Sequence, residues 1–418
     1  MSTLLLAVLL LAEATPDRSP PQPVSDWPLH QRAIRAADAF AAEHPGRVIV
    51  VGIGQGDRSQ TIVRGSRIAS DPNTGPIDGD SLFEIGSVTK TTTGLLLAEA
   101  IERGEVTAGS TLGELRPDLA LPDKVAAITL RQLATHTAGL SRDLPGIQRD
   151  ALTKVAASSV LSALPVSGLA KWSAQRFRPL EPFVGHTRES LDGWLTTIEP
   201  DPPGTFDYSN LGQAILTDTL CRAADADYAD LLADRVLRPA GMTAATLEIT
   251  DENASRYVAG TIRGLEAPPW ERSASLDGVG GLKASAHDML AYGRAVLDPP
   301  PELAGAVDRA TRTHAVVHDA NGPERVEIGF GWFLRGLAGD RPQVLSHTGS
   351  TYAHSAYFGC DRKTGRVVVV FVNAGQTHTS AAQGLLAPRL GGEGFFDPVE
   401  TLPEVDDIAL PPEGRHED

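Results

Sequence analysis

Apolar residues are distributed differently at the two ends of the chain and in its middle. Near the start, two short apolar runs at residues 47–52 and 61–63 predict a β-hairpin. Near the end, further strands are predicted at 329–333, 344–346, 355–359 and 366–373. The middle third instead has helical spacing, broken by Pro and Gly. The pattern therefore predicts an α+β fold in which one sheet draws on both chain ends and a mainly helical domain is inserted between them.

The clearest helix is predicted over residues 87–103, where apolar positions recur at helical spacing and Gly104 follows as a stop signal. Further helices are predicted at residues 30–43, 211–223, 228–237, 286–297 and 379–390. The resulting organisation is a signal peptide at 1–14, a linker at 15–28, a sheet domain at 29–109 and 276–396, a helical domain at 110–275 and an acidic tail at 397–418.

The first residues have the pattern of a secretory signal. Residues 4–12 are apolar, and Ala12-Glu13-Ala14 supplies the small residues of a cleavage site. The stretch is shorter than the ~20 residues that span a bilayer. We therefore expect a secreted or periplasmic protein with no integral membrane segment once the signal is removed.

Composition removes other classes of function. The 418 residues include 37 Lys and Arg against 53 Asp and Glu, a formal net charge of −16. Such a charge repels a phosphate backbone, so we expect no nucleic-acid partner. Two cysteines, Cys221 and Cys360, are too few for a disulfide framework; one bridge and two separate thiols both fit.

The segment Ser87-Val88-Thr89-Lys90 opens the clearest helix. Three residues make about one helical turn, so the Ser87 hydroxyl and the Lys90 amine share one face. The helix N-terminus favours a developing oxyanion at the serine. An ordinary lysine, with a pKa of ~10.4, is not a base at neutral pH, so the pair needs burial or a nearby cation. The alternative is a serine near an N-cap followed by a surface lysine.

Two later segments could complete such a site. Tyr208 stands just ahead of a helix, where it can share a proton with Ser87 and Lys90, and Asn210 can bind the lysine and a substrate amide. The alternative is a packed tyrosine beside an ordinary N-cap.

His347-Thr348-Gly349 ends a short strand whose edge can pair with an extended substrate, and the Ser350 N–H can form an oxyanion hole with the Ser87 N–H. The similar Lys363-Thr364-Gly365 lies in a predicted turn between two strands, so we favour His347, Thr348 and Gly349 as the substrate-binding segment.

The order S-x-x-K, Y-x-N, H-T-G resembles the serine β-lactamase and penicillin-binding-protein superfamily, in its class C-like branch of β-lactamases, D-alanyl-D-alanine carboxypeptidases and related esterases. Residues 82–91 are similar to the nucleophile segment of that branch, and 128–140 with Arg142 to its carboxypeptidase/endopeptidase members. The resemblance covers roughly residues 30–390.

The resemblance implies an antiparallel sheet with helices on both faces and an active site between sheet and helical domain. It implies a serine hydrolase that cleaves D-alanyl peptide or β-lactam amide bonds through an acyl-enzyme, without metal or organic cofactor. A carboxylesterase on the same scaffold and a non-catalytic penicillin-binding or scaffolding protein are the alternatives. In each case the partner is a small molecule or peptide.

Two features depart from the family pattern. His347 stands where most β-lactamases and carboxypeptidases have lysine, and a neutral imidazole binds a carboxylate more weakly. Activity on carboxylate substrates should then improve as pH falls towards 6. Residues 144–185 form a longer segment than usual, which can remodel the site entrance.

Overall fold

The computed structural model describes residues 28–66, 76–144, 186–262, 265–273, 277–318, 325–338 and 341–375. The predicted signal peptide, the acidic tail, the helix at 379–390 and residues 145–185 of the long segment lie outside these ranges.

An antiparallel sheet of eight strands organises the fold. Its order is β2-β1-β12-β11-β10-β9-β8-β7, and the two chain ends meet where β1 pairs with β12. Two short two-stranded pairs, β3 with β6 and β4 with β5, lie outside it. The strands are β1 (Ile49–Gln55), β2 (Arg58–Arg64), β3 (Phe83–Glu84), β4 (Thr261–Ile262), β5 (Leu265–Glu266), β6 (Lys283–Ala284), β7 (Ala315–His318), β8 (Val326–Ile328), β9 (Phe333–Ala338), β10 (Arg341–Ser350), β11 (Ser355–Asp361) and β12 (Arg366–Val372).

Helices cover both faces of the sheet and fill the middle of the chain. They are α1 (Pro28–Glu43), α2 (Thr89–Glu102), α3 (Leu112–Leu115), α4 (Asp123–Ala126), α5 (Leu130–Ala134), α6 (Arg188–Leu195), α7 (Asn210–Ala224), α8 (Tyr228–Leu232), α9 (Asp277–Gly280), α10 (Ala286–Leu297) and α11 (Ala304–Ala310). Helix α1 begins at the last residue of the predicted linker, because proline is tolerated in a first helical turn.

The central strands are apolar on both sides because each side is covered. Strand β12 is buried from its second residue to its last. On one face Leu29, Ala33 and Ala37 of α1 pack against β1 and β12. On the other face α10 packs so closely that a β-carbon on Gly52 would lie 3.3 Å from Leu290 Cδ1. This two-sided packing confirms the predicted α+β fold; the proposed domain boundaries stay a prediction.

Helix α2 is buried along almost its whole length and runs through the main core. The connection between β8 and β9 lies directly against this helix. A β-carbon on Gly94 of α2 would be 1.8 Å from the Phe330 carbonyl oxygen, and a β-carbon on Gly331 would be 2.2 Å from the Lys90 carbonyl oxygen. The strand predicted at 329–333 was therefore wrong for residues 329–332; only its last residue, Phe333, belongs to a strand, as the first residue of β9. Gly331 has φ +71°, so residues 329–332 form a turn whose backbone lies against α2. Its apolar side chains are buried elsewhere: Phe330 stacks on His314, and Trp332 packs on Tyr292 and Phe358.

A buried ion network joins the end of α3 to α6 and α7. Arg116, 1% exposed, pairs with Asp192 of α6 at 2.8 Å and with Asp218 of α7 at 3.4 Å. Asp118 also binds its guanidinium. The network holds α6 to α7, the helix whose first residue is Asn210.

Both cysteines are free and buried, which settles the alternatives left open by their number. Burial raises the pKa of the Cys221 thiol to about 12 and that of Cys360 further still. Within the described ranges no helix combines the length and the apolar character needed to cross a membrane.

Candidate active site

Ser87 lies in a single 3₁₀ turn, Gly86–Val88, that leads directly into α2. Gly86 has φ +50°, and a β-carbon there would be 2.7 Å from the Ser350 nitrogen. A β-carbon on Gly349 would be 3.0 Å from the Ser87 nitrogen. The turn therefore contacts the end of β10 by backbone alone, and the two amide groups predicted to bind an oxyanion lie beside this contact.

Lys90 follows one turn later and is fully buried. Its Nζ lies 3.0 Å from Ser87 Oγ and donates a hydrogen bond to the Val279 carbonyl oxygen at 2.7 Å. Burial, reinforced by the positive charge of Arg142, lowers the pKa of Lys90 well below its usual range. The helix spacing therefore brings together a serine and an amine that can be neutral, as a proton acceptor must be.

Tyr208 completes this cluster from the segment before α7. It hydrogen-bonds to the Ser87 side chain, and its ring centroid lies 5.1 Å from Lys90 Nζ. Burial raises the pKa of Tyr208 to about 12, while the Ser87 hydrogen bond and the Arg142 charge act in the opposite direction. The phenol is therefore protonated at neutral pH and can donate a proton.

The next two residues show why the chain turns here. Ser209 is the N-cap of α7: its Oγ accepts from the Gly212 N–H at 2.8 Å and donates to the Ser141 carbonyl oxygen at 2.7 Å. Asn210 donates its backbone N–H to the Arg142 carbonyl oxygen at 2.9 Å. Its side-chain Oδ1 is buried and accepts no hydrogen bond within the described residues. Asn210 can therefore accept one from a ligand.

His347, Thr348, Gly349 and Ser350 form the last four residues of β10. They pair with β11 through Phe358, Tyr357, Ala356 and Ser355. The pairing of β10 with β9 ends one residue earlier, at Ser346 and Phe333. The edge of β10 that faces away from β11 is thus released from β9 where it passes the Ser87 turn, as a substrate-pairing edge requires.

His347 is 2% exposed and neutral. Burial and the charge of Lys90 lower its pKa to about 3. Its Nδ1 lies within hydrogen-bond distance of the Thr348 carbonyl oxygen, so Nδ1 carries the proton and Nε2 carries a lone pair. Nε2 is buried and has no partner among the described residues. The group that replaces the family's lysine is therefore a hydrogen-bond acceptor. An imidazole with this pKa stays neutral at pH 6, which argues against the expected improvement of activity on carboxylate substrates as pH falls.

The competing motif at Lys363 lies in the turn between β11 and β12. Its backbone N–H binds Asp361 Oδ1 at 2.9 Å, and the Thr364 hydroxyl donates to Asp361 Oδ2 at 2.6 Å. Gly365 has φ +68°, as this turn requires. The motif is therefore occupied with closing a hairpin, as its position between two apolar runs predicted.

Two cleft residues were not predicted as parts of the site. Arg142 Cζ lies 5.1 Å from the Tyr208 ring centroid. His136 packs on the same ring at 4.5 Å, accepts the Ser209 N–H at its Nδ1, and has φ +56°. Burial and the Lys90 charge lower the pKa of His136 well below its usual range. Only their place in a family-like segment marked them in the sequence.

The described residues contain no group of three or more His, Cys, Asp or Glu that could hold a metal ion. What they contain is a buried amine, a serine and a phenol in mutual contact beside two backbone amides and an open strand edge. This arrangement can perform acyl transfer with proton movement among side chains.

A family model described as "Beta-lactamase" matches residues 33–392. The D-alanyl-D-alanine-carboxypeptidase/endopeptidase AmpH of Escherichia coli K12 is 26% identical over 306 residues, which covers 70% of this chain and 71% of the relative. A class C beta-lactamase structure from Rhodobacter sphaeroides superposes with a TM-score of 0.67 at 22% identity, covering 86% of this chain and 98% of that one. A D-alanine carboxypeptidase from Burkholderia cenocepacia gives a TM-score of 0.64 at 21% identity, with coverages of 85% and 98%.

Proposed function

Because the chain belongs to the beta-lactamase family, we propose that it is a serine hydrolase that forms an acyl-enzyme on Ser87 and cleaves D-alanyl peptide or β-lactam amide bonds. One observation carries the proposal: the Lys90 amine, fully buried and with a lowered pKa, lies 3.0 Å from Ser87 Oγ. Burial and the Arg142 charge favour the neutral amine that a general base needs, and its hydrogen bond to Ser87 Oγ places that amine at the nucleophile.

In acylation, neutral Lys90 accepts the Ser87 hydroxyl proton as Oγ bonds to the substrate carbonyl carbon. The carbonyl oxygen becomes an oxyanion, which accepts hydrogen bonds from the Ser87 and Ser350 N–H groups. The Asn210 Oδ1 accepts a hydrogen bond from the substrate amide. The peptide segment of the substrate runs along the free edge of β10 at His347, Thr348 and Gly349.

The leaving group departs when the tetrahedral intermediate collapses and its nitrogen receives the Tyr208 proton. Lys90, now protonated, returns a proton to Tyr208 and both groups regain their starting states. In deacylation a water molecule gives a proton to the same pair as its oxygen bonds to the acyl carbon. When the second tetrahedral intermediate collapses, the pair returns that proton to Ser87 Oγ, and the bond between Ser87 Oγ and the acyl carbon breaks to release the product acid. No metal or organic cofactor takes part in these steps.

The names of the relatives support an amide substrate, since the carboxypeptidases among them act on D-alanine derivatives. A second candidate, a carboxylesterase on the same scaffold, is favoured by His347. Its neutral ring has a lone pair at Nε2, so it attracts no substrate carboxylate, and a neutral ester loses nothing there.

Three substrates and one variant test the proposal. The full chain is assayed with a chromogenic cephalosporin, a D-alanyl-D-alanine peptide and a short-chain p-nitrophenyl ester, alongside Ser87→Ala. We expect turnover of at least one substrate, none with Ser87→Ala, and one fluorophosphonate adduct that the variant lacks. Equal labelling of Ser87→Ala would exclude Ser87 as the nucleophile, and an unlabelled wild-type protein would favour the non-catalytic alternative.

We also propose that the protein acts outside the cytoplasm, which the apolar residues 4–12 and the Ala12-Glu13-Ala14 pattern support. Expression of the full chain in a Gram-negative host should yield mature protein in the periplasmic fraction that begins near Thr15. Uncleaved protein in the cytoplasmic fraction would contradict this.

A further inference from the structure

Glu84 is a buried carboxylate three residues before Ser87, and the proposed mechanism does not use it. It is 2% exposed. Its Oε1 accepts the Trp270 N–H at 2.7 Å and the Tyr257 hydroxyl at 3.3 Å, and its Oε2 lies 3.2 Å from His354 Nδ1. Both carboxylate oxygens are therefore satisfied within the protein.

His354 is completely buried, and both of its ring nitrogens face acceptors. Nδ1 faces the Glu84 carboxylate, and Nε2 lies 2.8 Å from the Val258 carbonyl oxygen. A neutral imidazole carries one N–H and could satisfy only one of these contacts. The geometry therefore matches an imidazolium paired with a carboxylate.

The surroundings of Glu84 favour its charged form. Burial by itself would raise its pKa, but the hydrogen bond and charge of His354, the charge of Lys283 and the Trp270 N–H together hold it at about 2. Lys283 is opposite Glu84 in the β3–β6 pairing and donates to the Leu247 and Trp270 carbonyl oxygens. The carboxylate thus connects β3 to several neighbouring segments.

The backbone of His354 closes the turn that directly follows Ser350. Its carbonyl oxygen accepts the Thr351 N–H at 2.9 Å, and its own N–H binds Thr351 Oγ1 at 3.0 Å. The Ser350 hydroxyl lies 3.4 Å from the same carbonyl oxygen. A displacement of His354 would therefore be passed directly to Ser350.

We propose that Glu84 and His354 are positioning residues, whose hydrogen-bonded contact fixes the Ser87 and Ser350 amide groups at the separation that an oxyanion needs. The pair joins the two backbone segments that carry these amides, since Glu84 leads into the Ser87 turn and His354 closes the Ser350 turn. Neither side chain touches substrate. The inference rests on the proposed function, because only a reaction through an oxyanion gives this separation a kinetic meaning.

Loss of the connection should weaken transition-state binding more than substrate binding. One N–H donor of an oxyanion hole typically contributes about 10²- to 10³-fold to kcat, and a displaced donor loses part of this contribution. We expect His354→Phe, which keeps a ring but removes both hydrogen bonds, to lower kcat about 10- to 100-fold with KM changed less than about 3-fold. Affinity for an arylboronic acid, whose tetrahedral adduct places an oxygen in the hole, should fall by the same factor as kcat/KM.

Glu84→Gln is the conservative variant. Its amide oxygen can accept from Trp270 and Tyr257, and its N–H can donate to His354 Nδ1, leaving Nε2–H for Val258. All contacts then survive without charge, so kcat should stay within about 3-fold of wild type. Asp192→Asn is the control: it weakens the buried Arg116 network on α6, which carries no predicted site residue, and should lower Tm without changing kcat per folded molecule.

The measurements are kcat, KM and boronate affinity, each corrected for folded fraction by circular dichroism. Unchanged kcat and boronate affinity in His354→Phe would overturn the inference, as would a loss in Glu84→Gln as large as in His354→Phe. If His354→Phe does not fold, His354→Gln, which keeps one donor, replaces it with an expected loss of about 3- to 30-fold in kcat; no loss would again overturn it. Retained turnover in Ser87→Ala would instead contradict the proposed function.

Discussion

Gly349 lies so close to Ile85 that a β-carbon on the glycine would be 1.9 Å from the isoleucine carbonyl oxygen. The contact joins the end of β10 to the turn that carries Ser87. It explains why a glycine follows His347 and Thr348: any side chain would separate the strand from the turn. The third motif is thus as much a packing requirement as a binding one.

Gly349→Ala should therefore lower activity strongly. The β-carbon must push β10 away from Ile85, which moves the Ser350 amide relative to Ser87, so we expect kcat/KM to fall at least about 100-fold. Gly365→Ala is the matched control, because nothing lies within 4 Å of its β-carbon position. It should cost about 1 kcal/mol of stability for its positive φ and leave kcat/KM unchanged. Equal effects of the two variants on kcat/KM would refute the packing argument.

Tyr208→Phe removes one hydroxyl from the site. Since this hydroxyl supplies the leaving-group proton in the proposed mechanism, kcat should fall about 10²- to 10⁴-fold while Tm changes little. Steady-state kinetics and thermal melts check both. A variant with wild-type kcat would remove Tyr208 from the proton path.

His347→Lys should raise kcat/KM selectively for substrates with a free carboxylate. In this variant a charged amine replaces the imidazole lone pair and can donate to the substrate carboxylate. A charge-assisted hydrogen bond is worth about 1.5–3 kcal/mol, which corresponds to a gain of about 10- to 100-fold in kcat/KM. With its pKa near 3, wild-type His347 stays neutral, so carboxylate substrates should gain no advantage over esters between pH 8 and 6. Lys363→Ala is the control: it should change neither the kcat/KM of carboxylate substrates relative to esters nor the pH dependence of that ratio. An equal gain for neutral esters would contradict the assignment.

Arg142→Gln should shift the acid limb of the pH–rate profile. The Arg142 charge disfavours protonated Lys90, so its removal raises the Lys90 pKa, and a higher pH is then needed to free the amine. We expect the limb of kcat/KM to move up by about 0.5–1 pH unit. Arg312→Gln, an arginine paired with Asp308 on α11, should leave it in place.

Glu84 should also contribute to stability in mild acid. Its pKa is about 2 in the folded protein against an ordinary 4.5, so its stabilising effect is present above pH 4.5 and is lost as pH falls towards 2. The shift corresponds to about 3 kcal/mol. Urea unfolding of wild type and Glu84→Gln from pH 6 to 3 should show the wild type losing about 2 kcal/mol of this increment, the part expected by pH 3, and the variant not. If the free energies of unfolding of the two proteins fall in parallel with pH, Glu84 makes no such contribution to stability.

Much of the fold was predictable because the local signals agree with the packing. Every residue from 367 to 372 is apolar, as expected of a strand covered on both faces, and all six are buried in β12. Ser87 and Lys90 share a helix face for reasons of spacing alone. The strand prediction failed at residues 329–332 because aromatic side chains beside glycine are typical of strands, whereas here they belong to a turn whose backbone lies against α2.

The sequence does not predict which charged groups from distant parts of the chain pair with one another, or which groups are protonated. Glu84 and His354 are 270 positions apart, and nothing in either segment indicates the other. The protonation of His347 likewise depends on burial and on the distance to Lys90, which are properties of the folded chain. A sequence pattern gives the residue types of the site, while the tautomers and pKa values come from packing.

The two buried thiols give this protein a practical property. Cys221 and Cys360 are the only cysteines of the chain, each at most 1% exposed and with a raised pKa, so neither reacts readily with an alkylating reagent. A cysteine introduced by Ser87→Cys would stand next to the Lys90 amine as the one accessible thiol. A fluorescent maleimide would then mark that single position in the native protein, without any other residue having to be removed first.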